Sequence, residues 1–155
     1  VKSEVEYLSN AYHEYTSGFA TSLVRSTCEM LFEQYCEKRD DIEWVYKNGD
    51  TGQQYFSIVY VDGIQKQWLF YADYIVMKKD GTVWVIETKG GESKGQDKNI
   101  DRQIENKFNA FKAYAAQHGL HWGFVRDKDN SLYINNTEFA IDMADEHWQD
   151  IATVF

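Results

Sequence analysis

The spacing of apolar residues along the chain predicts two long helices. Residues 19 to 38 carry an apolar stripe at the helical period, which is typical of a helix with one buried face. Its members recur at spacings of one, three and four: Leu23, Val24, Thr27, Leu31 and Tyr35. Residues 99 to 118 carry a second stripe, followed by Gly119, a residue that favours the position just after a helix. Its members are Ile100, Ile104, Phe108, Phe111 and Ala115.

Segments rich in aromatic and β-branched residues predict strands between and after these helices. They span residues 42–47, 54–61, 67–77, 82–88, 121–126 and 131–135. The pairs Asp62-Gly63 and Asp80-Gly81 predict hairpin turns, and residues 90–97 predict an exposed loop. Residues 1–18 predict a loose lead-in, and the tail from Thr137 predicts a helix or irregular cover. The order of elements predicts an α/β fold, a mixed sheet flanked by helices.

Composition places the chain among globular proteins. It has 155 residues, of which 43% are hydrophobic and 16% aromatic, and this suits one domain over residues 1–155. No apolar run approaches the roughly 20 residues that span a bilayer, and no signal peptide is recognisable. We therefore expect no membrane association and a cytoplasmic location. The first residue is Val1 and not Met, so we expect a piece of a larger protein.

The two cysteines are predicted to be reduced packing residues. Cys28 and Cys36 fall within the first predicted helix. Their spacing places them about 12 Å apart at the helical rise per residue. A disulfide needs Cα atoms within about 7 Å, and no neighbouring His or Cys completes a zinc site.

Three charged residues near one predicted hairpin are the candidate chemistry. Glu87 and Lys89 are two apart in a strand, so their side chains point to the same face. Asp73 lies in the neighbouring antiparallel strand and can approach them if the register allows. The apolar run 83–86 before Glu87 indicates a strand covered on both faces, where charges are costly unless they pair or serve a site. The alternative is a surface hairpin with charges on its solvated face.

Such a set suits metal-assisted phosphodiester hydrolysis. A divalent ion polarises the phosphate and lowers the pKa of bound water, and Mg²⁺ prefers oxygen ligands. Asp73 and Glu87 are the candidate carboxylate ligands, and the Thr88 carbonyl is a further candidate. Lys89 would orient the attacking water or stabilise the charge that develops on the phosphate.

The stretch FYADYIVMKKDGTVWVIETKGG, which begins at Phe70, resembles the nuclease core of the PD-(D/E)XK superfamily. It most resembles the C-terminal endonuclease domain of type III restriction enzymes and related helicase-linked nucleases. The resemblance covers roughly residues 20 to 126, and the part from 70 to 90 is specific. It implies a restriction-endonuclease-like fold with an α-β-β-β-α-β core. Ala72 stands where the family has proline, a residue that shapes the backbone and ligates nothing.

The resemblance also implies roles, a cofactor and partners. Asp73 matches the first acid of the family, Glu87 the second and Lys89 the lysine. The implied activity is DNA cleavage that depends on Mg²⁺, with Mn²⁺ as a substitute. The implied partners are DNA, a helicase or translocase region of the parent chain and a modification (methyltransferase) subunit.

The first predicted helix supplies a further candidate for the site. The stretch from Ser26 resembles the first helix of such nucleases, in which a glutamate often reaches the metal. Glu29 matches that place, and Glu33, one turn later, is the fallback. The alternative for both is a solvated helix face.

Four polar residues around the start of the second helix are candidates for nucleic-acid binding. Gln103 and Lys107 lie four apart and could contact DNA phosphate, as could Lys94 and Lys98. The alternative is an ordinary polar surface. The net charge of −9 counts against a nucleic-acid binder, although bound ions restore positive charge locally and the parent chain could bind phosphate. A non-cutting nucleic-acid- or protein-docking domain of a helicase-like protein therefore stays open as the alternative function.

Overall fold

The computed structural model describes residues 5–6, 19–20, 26–48, 58–61, 65–93, 96–97 and 104–155. These residues hold two α-helices, α1 (Thr27–Glu37) and α2 (Ile104–His118), and a short 3-10 helix, η1 (Ile151–Thr153). The strands, in chain order, are β1 (Val5–Glu6), β2 (Phe19–Ala20), β3 (Ile42–Lys47), β4 (Ile58–Val61), β5 (Gln67–Phe70), β6 (Tyr74–Lys78), β7 (Val83–Ser93), β8 (Gln96–Asp97), β9 (His121–Lys128), β10 (Ser131–Asn135) and β11 (Gln149–Asp150).

The main sheet is mixed, which confirms the predicted α/β class. Its described strands follow the order β11-β10-β9-β7-β6-β3, and β8 also pairs with β7. The pair β7–β9 is parallel and is connected through α2, whereas the neighbouring pairs β6–β7 and β3–β6 are antiparallel. Within the described part of the chain, two smaller sheets are formed by β1 with β2 and by β4 with β5.

Two hydrophobic clusters lie on the two sides of the main sheet. The first joins α1 to the chain terminus at Phe155, and the second joins α2 to the β4–β5 pair. In β7, Trp84 and Ile86 belong to the first cluster and Val85 to the second. The central strand is therefore covered on both faces, as the run 83–86 predicted.

The helix α1 begins later than predicted, and its buried face differs. Phe19–Ala20 form the strand β2, and the described helix starts at Thr27 after the N-cap Ser26. The buried residues of α1 are Cys28, Phe32 and Cys36. The predicted stripe was wrong because Thr27 is exposed and Leu31 and Tyr35 are half-buried, while Leu23 and Val24 lie outside the described residues.

The small thiol side chains explain which face of α1 is buried. Cys28 and Cys36 are free and buried, which confirms the prediction for them. Their size allows the helix to approach the sheet closely, and the Cys28 thiol donates a hydrogen bond to the Val125 carbonyl at 3.4 Å. Burial is the largest reason that the pKa of each thiol is raised, so both stay protonated.

The helix α2 matches its predicted stripe. Ile104, Phe108, Phe111 and Ala115 are all buried, and residues 99–103 lie outside the described part. Gly119 follows with a φ of 65°, the left-handed conformation that glycine adopts without strain. Within the described residues, neither helix is long and apolar enough to cross a bilayer.

The predicted strand over residues 67–77 and the predicted loop over 90–97 were both wrong. The first is divided into β5 and β6 by a bend at residues 71–73, and the two parts belong to different sheets. The second continues β7 as far as Ser93, where it pairs with β8. Asp73 therefore lies in the bend just before β6 and not within a strand.

Candidate active site

A cavity of about 390 Å³ lies where the bend, β7 and the first turns of both helices meet. Its lining does not include the fallback Glu33, but it includes six residues that the sequence predicted for a site: Glu29, Asp73, Glu87, Thr88, Lys89 and Lys107. Ser26, Phe70, Tyr71 and Gly90 complete the lining. The predictions for Lys94, Lys98 and Gln103 fall outside the described residues.

The buried strand β7 delivers Glu87, Thr88 and Lys89 to the cavity. Glu87 and Thr88 are both buried, directly after the apolar run. The two-residue repeat of a strand brings Glu87 and Lys89 to one face, and Lys89 Nζ lies 3.7 Å from Glu87 Oε2. The prediction that these two side chains point the same way is confirmed.

Asp73 is held against β7 by two hydrogen bonds to one of its oxygens. The β6–β7 register pairs Tyr74 with Ile86, so Asp73 lies beside Glu87 and Thr88. The Thr88 backbone N–H and hydroxyl both donate to Asp73 Oδ2, at 2.9 Å and 2.6 Å. In a strand, the N–H and C=O of one residue point to the same edge, so the Thr88 carbonyl also faces this side.

Lys47 and Asn48, at the end of β3, are site residues that the sequence reasoning missed. The Lys47 ammonium lies 3.1 Å from Glu29 Oε1 and 3.3 Å from Asp73 Oδ1. Asn48 fixes the bend, because its backbone N–H donates to the Asp73 carbonyl and its amide donates to the Ala72 carbonyl. The end of β3 thus sets both the backbone and the side chain of Asp73.

Glu29 faces the site, but both of its carboxylate oxygens already accept hydrogen bonds from other residues of the chain. It is the third residue of a capping box: its N–H donates to the Ser26 hydroxyl, and its Oε2 accepts from the Ser26 N–H at 2.8 Å. Its other oxygen accepts from Lys47. The carboxylate therefore links the start of α1 to the end of β3.

The two neighbouring acids have pKa values that move in opposite directions. Burial raises the pKa of Glu87 well above its usual range, and the adjacent Asp73 adds to the rise, although Lys89 and Lys107 oppose it. Burial also acts to raise the pKa of Asp73, but the Glu87 hydrogen bond, the Lys47 charge and the Thr88 donors lower it overall. The two shifts together favour a proton on Glu87, which donates a hydrogen bond to the Asp73 carboxylate.

The donor set fits a hard divalent ion. Two acids that must share a proton when they meet in a buried position are also a place where a cation is favoured. Mg²⁺ usually takes one or two carboxylates and keeps further positions for water and phosphate. Asp73, Glu87 and the Thr88 carbonyl supply such a set. Among the described residues, no group of three or more His, Cys, Asp or Glu side chains is placed to hold a metal ion together.

Comparisons of the chain with protein-family models, with curated proteins and with solved structures found no match.

Proposed function

We propose that this chain is a metal-dependent nuclease domain of the PD-(D/E)XK type. The observation that carries the proposal is the meeting of Asp73, Glu87 and Lys89 in one cavity, at the end of a buried central strand. The order α1, β3, β6, β7, α2 and β9 is compatible with the restriction-endonuclease-like α-β-β-β-α-β core. The β4–β5 pair is then an insertion between the first two strands of that core.

In this proposal, the residues of the cavity have different roles in phosphodiester hydrolysis. Asp73 and Glu87 would hold the ion, with the Thr88 carbonyl as a further ligand. When bound, a divalent ion supplies charge neutralisation at the phosphate and a lowered pKa for water. Lys89 lies next to Glu87, where its ammonium can orient water or stabilise the charge that develops on the phosphate. Lys107, on the first turn of α2, adds positive charge that attracts the phosphate backbone of the nucleic acid.

The substrate in this proposal is DNA, and the parent protein is a helicase-linked or type III restriction enzyme. The net charge of −9 fits a domain that depends on a translocase region to bring DNA to it. Another part of the enzyme, such as a modification subunit, would then select the DNA sequence that is cut.

The deciding experiment combines metal binding with nicking. Mn²⁺ is titrated calorimetrically into the wild type, into Asp73→Asn and into the control Asp40→Asn, an exposed turn residue. We expect saturable binding in the wild type and the control and its loss in Asp73→Asn. Nicking of supercoiled plasmid by the wild type should need Mg²⁺ and should fall at least 100-fold in Lys89→Ala, about the effect of losing one transition-state donor. Equal Mn²⁺ binding by all three proteins would refute a metal site at Asp73.

A second candidate is a non-cutting docking domain that retains the nuclease fold. The observation that favours it is the Lys47 ammonium between Glu29 and Asp73, which partly neutralises the acids without a metal. Metal binding separates the candidates, since the docking domain predicts no dependence of Mn²⁺ affinity on Asp73. If metal binds but plasmid is not nicked, even with a translocase partner, the docking function is favoured.

A further inference from the structure

Lys47 reaches the site from an element that carries no predicted site residue. It is the last residue of β3 and stands opposite Tyr74 in the β3–β6 register. Its ammonium contacts one oxygen of Glu29 and one of Asp73, and lies 4.8 Å from the centre of the Tyr74 ring. Two carboxylate oxygens and an aromatic face are together a binding position for a cation.

The remaining carboxylate oxygens on this side are already fixed. Glu29 Oε2 accepts from the Ser26 backbone, and Asp73 Oδ2 accepts two hydrogen bonds from Thr88. Each acid thus has one oxygen that is held by its surroundings and one that faces Lys47. A divalent ion bound between Glu29 and Asp73 would need the two oxygens that Lys47 occupies.

This geometry bears on how many ions the site can hold. Two-metal phosphodiesterases bind their ions about 3.5–4 Å apart and bridge them with shared carboxylates. Here Asp73 could share its carboxylate between an ion on the Glu87 side and a second cation on the Glu29 side. The second position coincides with the ammonium of Lys47, so a second divalent ion could bind there only if it displaced this ammonium.

We propose that the Lys47 ammonium is a built-in cation that fills the second cation position, so that the site takes a single divalent ion. The ion is held by Asp73 and Glu87, and Glu29 serves to hold Lys47. Lys47 is thus a positioning residue that sets metal stoichiometry. This inference rests on the proposed nuclease function, because it assumes that the Asp73–Glu87 side binds an ion.

The test measures Mn²⁺ stoichiometry by calorimetry and by electron paramagnetic resonance. The wild type should bind one ion, with the spectrum of an isolated Mn²⁺. Lys47→Met, which keeps the length of the side chain and removes its charge, should bind two ions with a spin-coupled spectrum. Adding Glu29→Gln to Lys47→Met should restore one ion, because the second position then loses a ligand. Glu29→Gln alone should still bind one ion.

Two control variants test whether the number of bound ions depends on a positive charge at position 47 or on the loss of any lysine. Lys79→Met removes an exposed lysine from the turn before β7 and should leave one ion bound. Lys47→Arg keeps the charge and should also bind one. Circular dichroism checks the fold of each variant, and if Lys47→Met does not fold, the wild-type spectrum decides between an isolated ion and a coupled pair.

The outcomes distinguish this inference from the proposed function. Two ions in the wild type, or one ion in folded Lys47→Met, would overturn the role of Lys47 and leave an Asp73-dependent metal site intact. Absence of Mn²⁺ binding from the wild type and from Lys47→Met would overturn the proposed nuclease function and this inference with it.

Discussion

Replacing Glu87 with glutamine should stabilise the metal-free domain at neutral and alkaline pH. The Glu87 side chain is 5% exposed and its neighbour is an ionised aspartate, so its pKa is raised in the folded protein. Folding therefore favours the protonated form. The stability that this proton provides is complete below the unfolded pKa of about 4.3 and is lost as the pH rises through the folded pKa. Glutamine keeps a donor toward Asp73 and never ionises.

The expected gain in the free energy of unfolding follows from proton linkage. One proton changes the free energy of unfolding by at most about 1.4 kcal/mol per pH unit, so each unit of raised pKa costs the ionised wild type about that amount. The pKa of Asp73 is lowered, so its stabilisation is lost only as the pH falls below its ordinary range, outside this window. Between pH 5 and the folded pKa of Glu87, the expected decline thus belongs to Glu87.

Urea unfolding measures the decline directly. The buried Trp84 and Trp122 provide the fluorescence signal, and EDTA keeps the protein free of metal. The wild type should lose stability from pH 5 to pH 8, and Glu87→Gln should have a flatter profile and greater stability at pH 8. Glu105→Gln, a change on the exposed side of α2, should keep the wild-type slope. Parallel profiles for the wild type and Glu87→Gln would show that Glu87 does not cause the loss of stability.

Two further substitutions test the support of the site and the packing beneath it. Thr88→Val removes the hydroxyl that donates to Asp73 and should lower the free energy of unfolding by about 2 kcal/mol, as measured in urea; an unchanged midpoint would show that this hydrogen bond contributes nothing. Phe32→Ala removes a fully buried ring that packs against Tyr74 and should cost about 3–5 kcal/mol, whereas Met30→Ala, on the exposed face of α1, should change stability by less than about 0.5 kcal/mol. Similar losses for these two changes would contradict the burial of that face.

The local parts of the site could be predicted from the sequence. The Asp80-Gly81 turn, the two-residue repeat of Glu87 and Lys89 and the apolar run before them depend on neighbours along the chain. Each of these predictions matches the structure, because hairpin pairing and side-chain alternation are local properties of the backbone. The helix stripe of α2 could be predicted for the same reason.

The contacts that cross the fold could not be predicted. Lys47 meets Asp73 because β3 pairs with β6, although β4 and β5 lie between them in the sequence. The bend at residues 71–73 depends on hydrogen bonds from Asn48, whose sequence position gives no sign of that contact. The prediction of the buried face of α1 was wrong because two cysteines, which carry a weak hydrophobic signal, form most of the buried side of this helix.

An irregularity in β3 explains how Lys47 reaches the same side as Glu29. The β3–β6 pairing shifts by one residue between Ile42 and Trp44, so that Ile42 and Val45 both join the core beneath α1. A regular strand would bury residues at even spacing from Ile42 and would point Lys47 to the opposite face. The shift reverses that alternation and places Lys47 opposite Tyr74, on the α1 side. The spacing of three between buried Ile42 and Val45 thus marks the bulge in the structure, and the bulge directs the ammonium toward the carboxylates.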